Sequence, residues 1–288
     1  MANVRLLRRR IRSVQNTAKV TRAMQMIAAS KMRRAQERVE AARPYAQKMR
    51  QVLADLAARS TADAAHPLFE RRPLQRAVMV LVTPDRGLAG GLPGNLNRAA
   101  AQHLQEAGAP VSIITAGRKG RDFFVRAGAD VIADYSGLPD RPSVADCLPI
   151  VAQVDRLYQA GEADAVHLVY TGFVNTLIQR PVVAQLLPID AAAFGEEEPP
   201  ASSEYLYEPD SDAVLSSLLP RFLEMQVYHA LLEAQASEQS ARMVAMRNAT
   251  EAAEDMIDSL TLEMNKVRQE SITNELLDLV GGVAALEA

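Results

Sequence analysis

The sequence predicts an α/β protein in which the N- and C-terminal helices form a long antiparallel coiled coil and the middle forms a Rossmann-like α/β domain. Three features predict this: heptad patterns near both ends, short β-branched runs between them, and opposite net charges on the two end segments. The coiled coil is predicted from residues 1–58 and 211–288, the central domain from residues 74–195, and a connecting loop from residues 196–210. With 48% hydrophobic and 23% charged residues, the composition excludes disordered and collagen-like classes.

The first predicted helix starts near Val4 and meets no Gly or Pro before Pro44. Along it, apolar or small residues recur at steps that alternate between four and three, which is the repeat of a coiled-coil strand. We therefore expect one helix that packs against a partner helix along one face. This packing face comprises Leu7, Ile11, Val14, Ala18, Thr21, Gln25, Ala28, Met32, Ala35, Val39 and Ala42.

The last predicted helix runs from about Asp212 to Leu279 and shows the same spacing. Pro220 falls close to its start, where a proline is tolerated or introduces a kink, and the glycines at 281–282 are expected to end the helix. Its packing face comprises Met243, Met246, Thr250, Ala253, Ile257, Leu260, Met264, Val267 and Ser271.

The two long helices are most simply each other's partners. Residues 1–50 carry fourteen Lys or Arg and two acidic residues, whereas residues 211–288 carry thirteen Asp or Glu and five basic residues. Opposite charges on segments far apart in sequence favour their pairing and fix their relative orientation. We expect an antiparallel pair within one chain, with homodimerisation through either packing face as the alternative.

Between the two helices the hydrophobic pattern changes to short β-branched runs bounded by Gly, Pro or Asp. Helical stretches at 95–107, 118–127 and 144–159 separate the first four runs, and this alternation indicates a largely parallel sheet covered on both faces. The predicted strands are Arg76–Val82, Val111–Thr115, Asp130–Ala133, Ala165–Tyr170 and Val182–Leu187. The acidic, proline-containing run at 196–200 is predicted to be a solvated loop.

The sequence contains no recognisable catalytic constellation, and we expect neither a cofactor nor a metal. The Gly-rich segment at 83–91 follows the first strand, but it has no G-x-G-x-x-G and no Lys followed by Ser or Thr, and Pro93 stands where backbone amides would bind a phosphate. A tight strand-to-helix turn is expected there instead. The four histidines lack metal-ligand spacing; His167 is expected to be a satisfied core residue and the single Cys147 a small buried one.

The basic first helix raises the alternatives of nucleic-acid or membrane-surface binding. No aromatic residue stands among its basic residues before Tyr45, and its apolar face requires a partner helix. No run approaches the roughly 20 apolar residues of a membrane-spanning helix. We therefore expect no nucleic-acid partner and no direct membrane insertion. A coiled-coil scaffold or nucleic-acid adaptor, and a nucleotide-binding enzyme, are the alternative functions.

Three stretches resemble the gamma subunit of F-type ATP synthases, and the resemblance extends over the whole chain. Residues 5–36 resemble its N-terminal helix motif, residues 85–92 (DRGLAGGL) its central turn, and residues 241–286 its C-terminal signature. The resemblance implies the central rotating stalk of a proton-translocating ATP synthase, placed inside a hexamer of alpha and beta subunits. It also implies contacts with the epsilon subunit and the membrane c-ring, one copy per complex, and no active site of its own.

The resemblance also assigns subunit contacts to particular positions. Those that match positions meeting the alpha and beta subunits are Arg10, Lys19, Met24, Arg242, Gln269, Thr273 and Glu275. The apolar residues at 276–280 would sit in an apolar bearing of the hexamer. Ala89 stands where the family often has cysteine, and Arg247 where an acidic residue or Lys is common. Because the paired cysteines of plastid members are absent, the resemblance implies a bacterial type, peripheral on the cytoplasmic side of the inner (plasma) membrane.

Overall fold

The chain forms two compact units, each built from parts that are distant in sequence. The computed structural model describes residues 2–59, 66–190, 207–208 and 210–286. The first unit contains Met1–Ala28 and Arg242–Ala288, and the second contains Ala29–Ala241. The domain limits expected from the sequence stay a prediction.

Two long helices, α1 (Ala2–Arg59) and α5 (Ser211–Leu286), contribute to both units. Every position of the packing face predicted for α1 is buried or half-buried, and so is every position predicted for α5. Several residues at the other heptad positions, such as Arg12 and Glu263, are exposed. The predicted coiled-coil pairing of these helices is confirmed, because burial follows the alternating steps of three and four. None of the described helices has the length and apolarity needed to cross a membrane.

Among the ends of the two long helices, the C-terminal end of α5 differs from the prediction. Helix α1 passes through Pro44 and ends at Arg59, and α5 contains Pro220 in its third turn. The prediction that the glycines at 281–282 end α5 is wrong, since the helix continues to Leu286. A glycine inside a helix costs only about 1 kcal/mol relative to alanine and, unlike proline, keeps its N–H donor, so it weakens the helix without ending it.

The second unit contains a five-stranded sheet with the order β3-β2-β1-β4-β5. The strands are β1 (Ala77–Val82), β2 (Val111–Ala116), β3 (Val131–Asp134), β4 (Ala165–Phe173) and β5 (Gln179–Leu187). The first four are parallel and β5 is antiparallel to β4, which confirms the largely parallel sheet. The helices between them are α2 (Leu92–Glu106), α3 (Arg118–Arg126) and α4 (Val144–Gln159).

Helices cover both faces of this sheet. On one face, Met79 and Leu81 of β1 pack with buried residues of α2 and α3, such as Leu96 and Phe124. On the other face, the alternate β1 valines pack with α4 and with the parts of α1 and α5 that belong to this unit. All six residues of β1 are buried, which explains its continuous apolar sequence.

Strands β4 and β5 are each three residues longer than predicted. Their hairpin pairs Tyr170 with Val182, Gly172 with Arg180 and Phe173 with Gln179. The added positions include Gly172, Gln179 and Arg180, which pair through their backbones, and a search for apolar runs does not detect such positions. The predicted loop at 196–200 lies outside the described residues.

Candidate interaction surface

The packing face of the first unit is made of small and polar side chains. Thr21 of α1 and Thr250 of α5 are 9% and 4% exposed, and their hydroxyl oxygens lie 2.6 Å apart. Thr250 also lies 2.8 Å from the carbonyl oxygen of Met246, and Thr21 lies 3.1 Å from that of Ala18. Both hydroxyls are therefore satisfied inside the helix pair, where an unpaired one would be costly.

The basic charges of α1 remain largely free at the surface of the first unit. Arg22 forms an ion pair with Glu254 of α5, but both side chains are at least half exposed, so this pair contributes at most about 1 kcal/mol. Arg8, Arg9 and Arg10 are exposed and form no ion pair within the described residues. Their guanidinium groups are thus available to an acidic partner surface.

The seven positions predicted to meet other subunits all lie in the first unit, but they do not form one cluster. Arg10, Lys19, Gln269, Thr273 and Glu275 are exposed, while the remaining two, Met24 and Arg242, are half-buried. Arg10 and Met24 of α1 are fourteen residues apart, which corresponds to about 20 Å along the helix axis. These residues therefore line an extended surface, and a single pocket cannot hold them.

Exposed apolar side chains accompany these positions. On α1, Val20, Met26 and Ile27 are more than half exposed. On α5, Leu262 is exposed, and so are all four apolar residues of the segment 276–280. Soluble monomers seldom expose so many large apolar side chains within one small unit, and such residues mark contact surfaces. The sequence analysis identified only the 276–280 segment; the other residues could have been found as apolar positions outside the heptad face.

The Gly-rich turn at 83–91 does not present a phosphate-binding geometry. In α3, which follows the adjacent strand, the first three amides are already used: Arg118 N donates to Asp85, Lys119 N to the carbonyl of Pro84, and Gly120 N to the hydroxyl of Thr83. At the start of α2, Pro93 has no amide to donate. The turn holds positive φ angles at Leu88 and Gly90, as a tight strand-to-helix turn does.

The histidines are arranged differently from the expectation. His103 of α2 and His167 of β4 lie with their ring centroids 4.6 Å apart, although they are far apart in sequence. His167 is not the satisfied core residue that we expected, because its buried Nδ1 has no hydrogen-bond partner. Burial, and secondarily the neighbouring His103, lower the pKa of His167 and so favour its neutral form. No group of three metal-ligating side chains occurs among the described residues.

Cys147 is fully buried in α4, as predicted. Burial raises the pKa of its thiol to about 12, with smaller contributions from nearby carboxylates. The thiolate, which is the nucleophilic form, is therefore nearly absent at neutral pH.

Comparison with known proteins identifies the family. A family model described as ATP synthase matches residues 3–286. The ATP synthase gamma chain of Dehalococcoides mccartyi is 54% identical over 288 residues, and the alignment covers 99% of this chain and all of that protein. The chain belongs to the ATP synthase gamma chain family.

Solved structures of mitochondrial ATP synthases resemble this gamma-family chain. The central stalk and c-ring structure from Tetrahymena thermophila contains a chain with 25% identity and a TM-score of 0.63, covering 80% of this chain and 99% of that one. A structure from Euglena gracilis contains a chain with 18% identity and a TM-score of 0.69, covering 99% and 95%, and supports the fold alone.

Both departures from the gamma-subunit pattern lie where the structure accommodates them. Ala89 is buried within the turn between β1 and α2 and carries no polar group. Arg247 is exposed and pairs with Glu251 one helical turn away at 2.9 Å. In this gamma chain the charge of Arg247 is thus partly neutralised by Glu251 of the same helix.

Proposed function

We propose that this chain is the rotating central stalk that couples proton flow to ATP synthesis and hydrolysis. The observation that carries the proposal is the extended surface of the first unit, where Arg8, Arg9 and Arg10 of α1 and exposed apolar side chains of both α1 and α5 lie along two paired helices. A surface of this length suits a helix pair enclosed by other subunits. Family membership supports the same function.

The partners in this proposal are the alpha and beta subunits, the epsilon subunit and the membrane c-ring, with one copy of the chain per complex. Catalysis belongs to the beta subunits, and the chain contributes no active site, cofactor or metal. The complex is of the bacterial type, and the chain is peripheral on the cytoplasmic side of the inner membrane.

The proposed mechanism depends on differential contact. A ligand shifts a conformational equilibrium only when it binds the states with different affinity, and the same holds for a stalk that meets three beta subunits. The two helices differ in charge and side-chain size around their circumference, so each rotation angle presents a different surface to a given beta subunit. We assign these contacts to Arg10, Lys19, Met24, Arg242, Gln269, Thr273 and Glu275.

The apolar segment at 276–280 is proposed to contact the apolar bearing of the hexamer. Its four large apolar residues are each more than half exposed, and burying one such side chain contributes roughly 1.5–3 kcal/mol. The segment can therefore hold the stalk in position without fixing its rotation angle, because apolar contacts are not directional.

The test is reconstitution of the purified chain with separately purified alpha and beta subunits. We expect a complex with one copy of this chain per hexamer and strongly raised ATP hydrolysis. Leu277→Asp should weaken assembly, whereas the control Leu177→Asp, at a similarly exposed leucine of the β4–β5 turn, should not. If the chain fails to associate and instead dimerises or binds nucleic acid, the scaffold hypothesis replaces this one.

A further inference from the structure

A polar cleft of about 350 Å³ lies at the carboxyl ends of β1 and β2 in the second unit. In parallel α/β sheets this edge is where small ligands bind, and the volume lies within the usual range of small-molecule sites. Its walls come from the turn after β1, the start of α3, the loop at 137–142 and the α5 residues 231–239. The interaction surface of the first unit contributes nothing to it.

Two guanidinium groups at the cleft have unused donors. Arg86, in the turn after β1, is exposed and forms no hydrogen bond or ion pair within the described part of the chain. The Arg118 side chain forms one ion pair within the described residues, in which its Nε lies 3.9 Å from a carboxylate oxygen of Asp85. Paired arginines of this kind recognise carboxylates, because each guanidinium offers parallel N–H donors to two oxygens.

The carboxylates of the cleft are largely committed to other partners. Asp85 accepts hydrogen bonds from the amides of Arg118 and Gly137, and Asp140 forms an ion pair with Lys31. Glu238 adds a third negative charge on the α5 wall. A bound anion is therefore expected to place its charge at the arginine side and a hydrogen-bonding group toward α5.

The α5 wall offers groups for such a contact. Gln239 is only 5% exposed, lines the cleft, and its amide has no hydrogen-bond partner among the described residues. Gln235 donates its amide to the carbonyl of Asp140, which leaves its buried carbonyl oxygen unpaired. Of these two glutamines, Gln235 has the buried atom without a partner, and such an atom is costly unless something supplies the missing hydrogen bond.

We propose that this cleft binds a small free carboxylate that also carries a hydroxyl or ammonium group. Its carboxylate lies between Arg86 and Arg118, its hydroxyl or ammonium group hydrogen-bonds Gln239, and its carbon skeleton contacts Leu138 and Pro139. The site is independent of torque transmission and is present in the isolated chain.

The test compares malate with succinate, which differ by one hydroxyl, as probes for the full-length chain. We expect saturable malate binding by calorimetry with a dissociation constant of about 1 mM or below, and weaker binding of succinate. Arg86→Gln should weaken malate binding at least about tenfold, since charge-assisted hydrogen bonds are lost. The control Arg98→Gln, at an exposed arginine of α2, should leave malate binding unchanged.

A second variant tests the orientation of the ligand. Gln239→Met keeps a similar volume without the amide and should remove the preference for malate over succinate while leaving succinate binding unchanged. Thermal melting of each variant verifies that it folds. Absence of saturable malate binding, or equal malate affinity in the parent and Arg86→Gln, would overturn the proposal.

Discussion

At the scale of single residues, the threonine pair inside the coiled coil links the two helices by a buried hydrogen bond. Thr21→Val or Thr250→Val alone should lower the unfolding free energy by about 1 kcal/mol, because each removes the hydrogen bond between the helices. The double variant should lose less than the sum, since two facing valines pack without leaving a polar group. Urea unfolding of all four proteins measures this coupling, and strict additivity would show that the pair does not interact.

Cys147 gives a second prediction at this scale. Because the pKa of its thiol is raised to about 12 by burial, it should resist thiol reagents in the folded chain at neutral pH. Full labelling is expected in denaturant. Rapid stoichiometric labelling without denaturant would mean that α4 opens readily.

Gly117 forms the connection between strand β2 and helix α3, and the space around it admits only a glycine. Its φ angle is +130°, and a Cβ atom there would lie 1.9 Å from the carbonyl oxygen of Thr83. Gly117→Ala should therefore destabilise the second unit by about 3 kcal/mol or more. The matched control is Gly94→Ala in α2, where a Cβ meets no atom within 4 Å; it should stabilise by about 0.5 kcal/mol. Similar melting temperatures for the two variants would contradict this account.

At the scale of elements, Glu233 links α5 to strand β4 and makes stability depend on pH. Burial raises its pKa above the ordinary value of 4.5, although His229, the amide of Phe173 and Arg43 act in the opposite direction. The folded chain thus holds this proton more tightly than the unfolded chain does. Stability from this group is present at acid pH and is lost as pH rises from about 4.5 through the raised pKa.

Glu233→Gln should therefore be more stable than the parent at neutral pH and equal to it at pH below about 4.5. Thermal melting across this range measures the difference. Parallel curves at every pH would show that the carboxyl group titrates normally. The conservative variant keeps an oxygen that can accept the amide hydrogen bond of Phe173.

The elements that the sequence predicted best are those whose burial repeats regularly. The heptad faces of α1 and α5 and the limits of α4 could be read directly, since the period of the apolar residues reports the buried face. The hairpin of β4 and β5 was underestimated because backbone pairing, rather than apolar side chains, sets its length. The end of α5 was misplaced because glycines permit but do not require a helix end.

Contacts between distant segments were harder to predict from the sequence. The edge-to-face contact of His103 with His167 and the cleft lined by Arg86 and Gln239 join residues from different elements, and no spacing in one stretch of sequence predicts them. The seven interface positions came from family resemblance, and their role stays a prediction.

At the scale of the whole molecule, Met24 tests the proposed stalk function. Met24→Lys adds a cation to a half-buried position on α1 and should reduce ATP-driven proton pumping several-fold while the chain still folds and assembles. The control Val125→Lys adds the same charge at an exposed apolar residue of α3 and should leave pumping unchanged. Normal pumping by the Met24 variant in membrane vesicles would remove this residue from the interface.

The exposed apolar residues at 276–280 also affect the fate of newly made chains. Before assembly, a cluster of this kind attracts chaperones and proteases and promotes aggregation, so surplus copies should be short-lived in the cell. Leu277→Asp should then have opposite effects in two settings: a longer lifetime for the orphan chain and fewer completed complexes. The same side chains that would secure the stalk in its assembly thereby mark unassembled copies for removal.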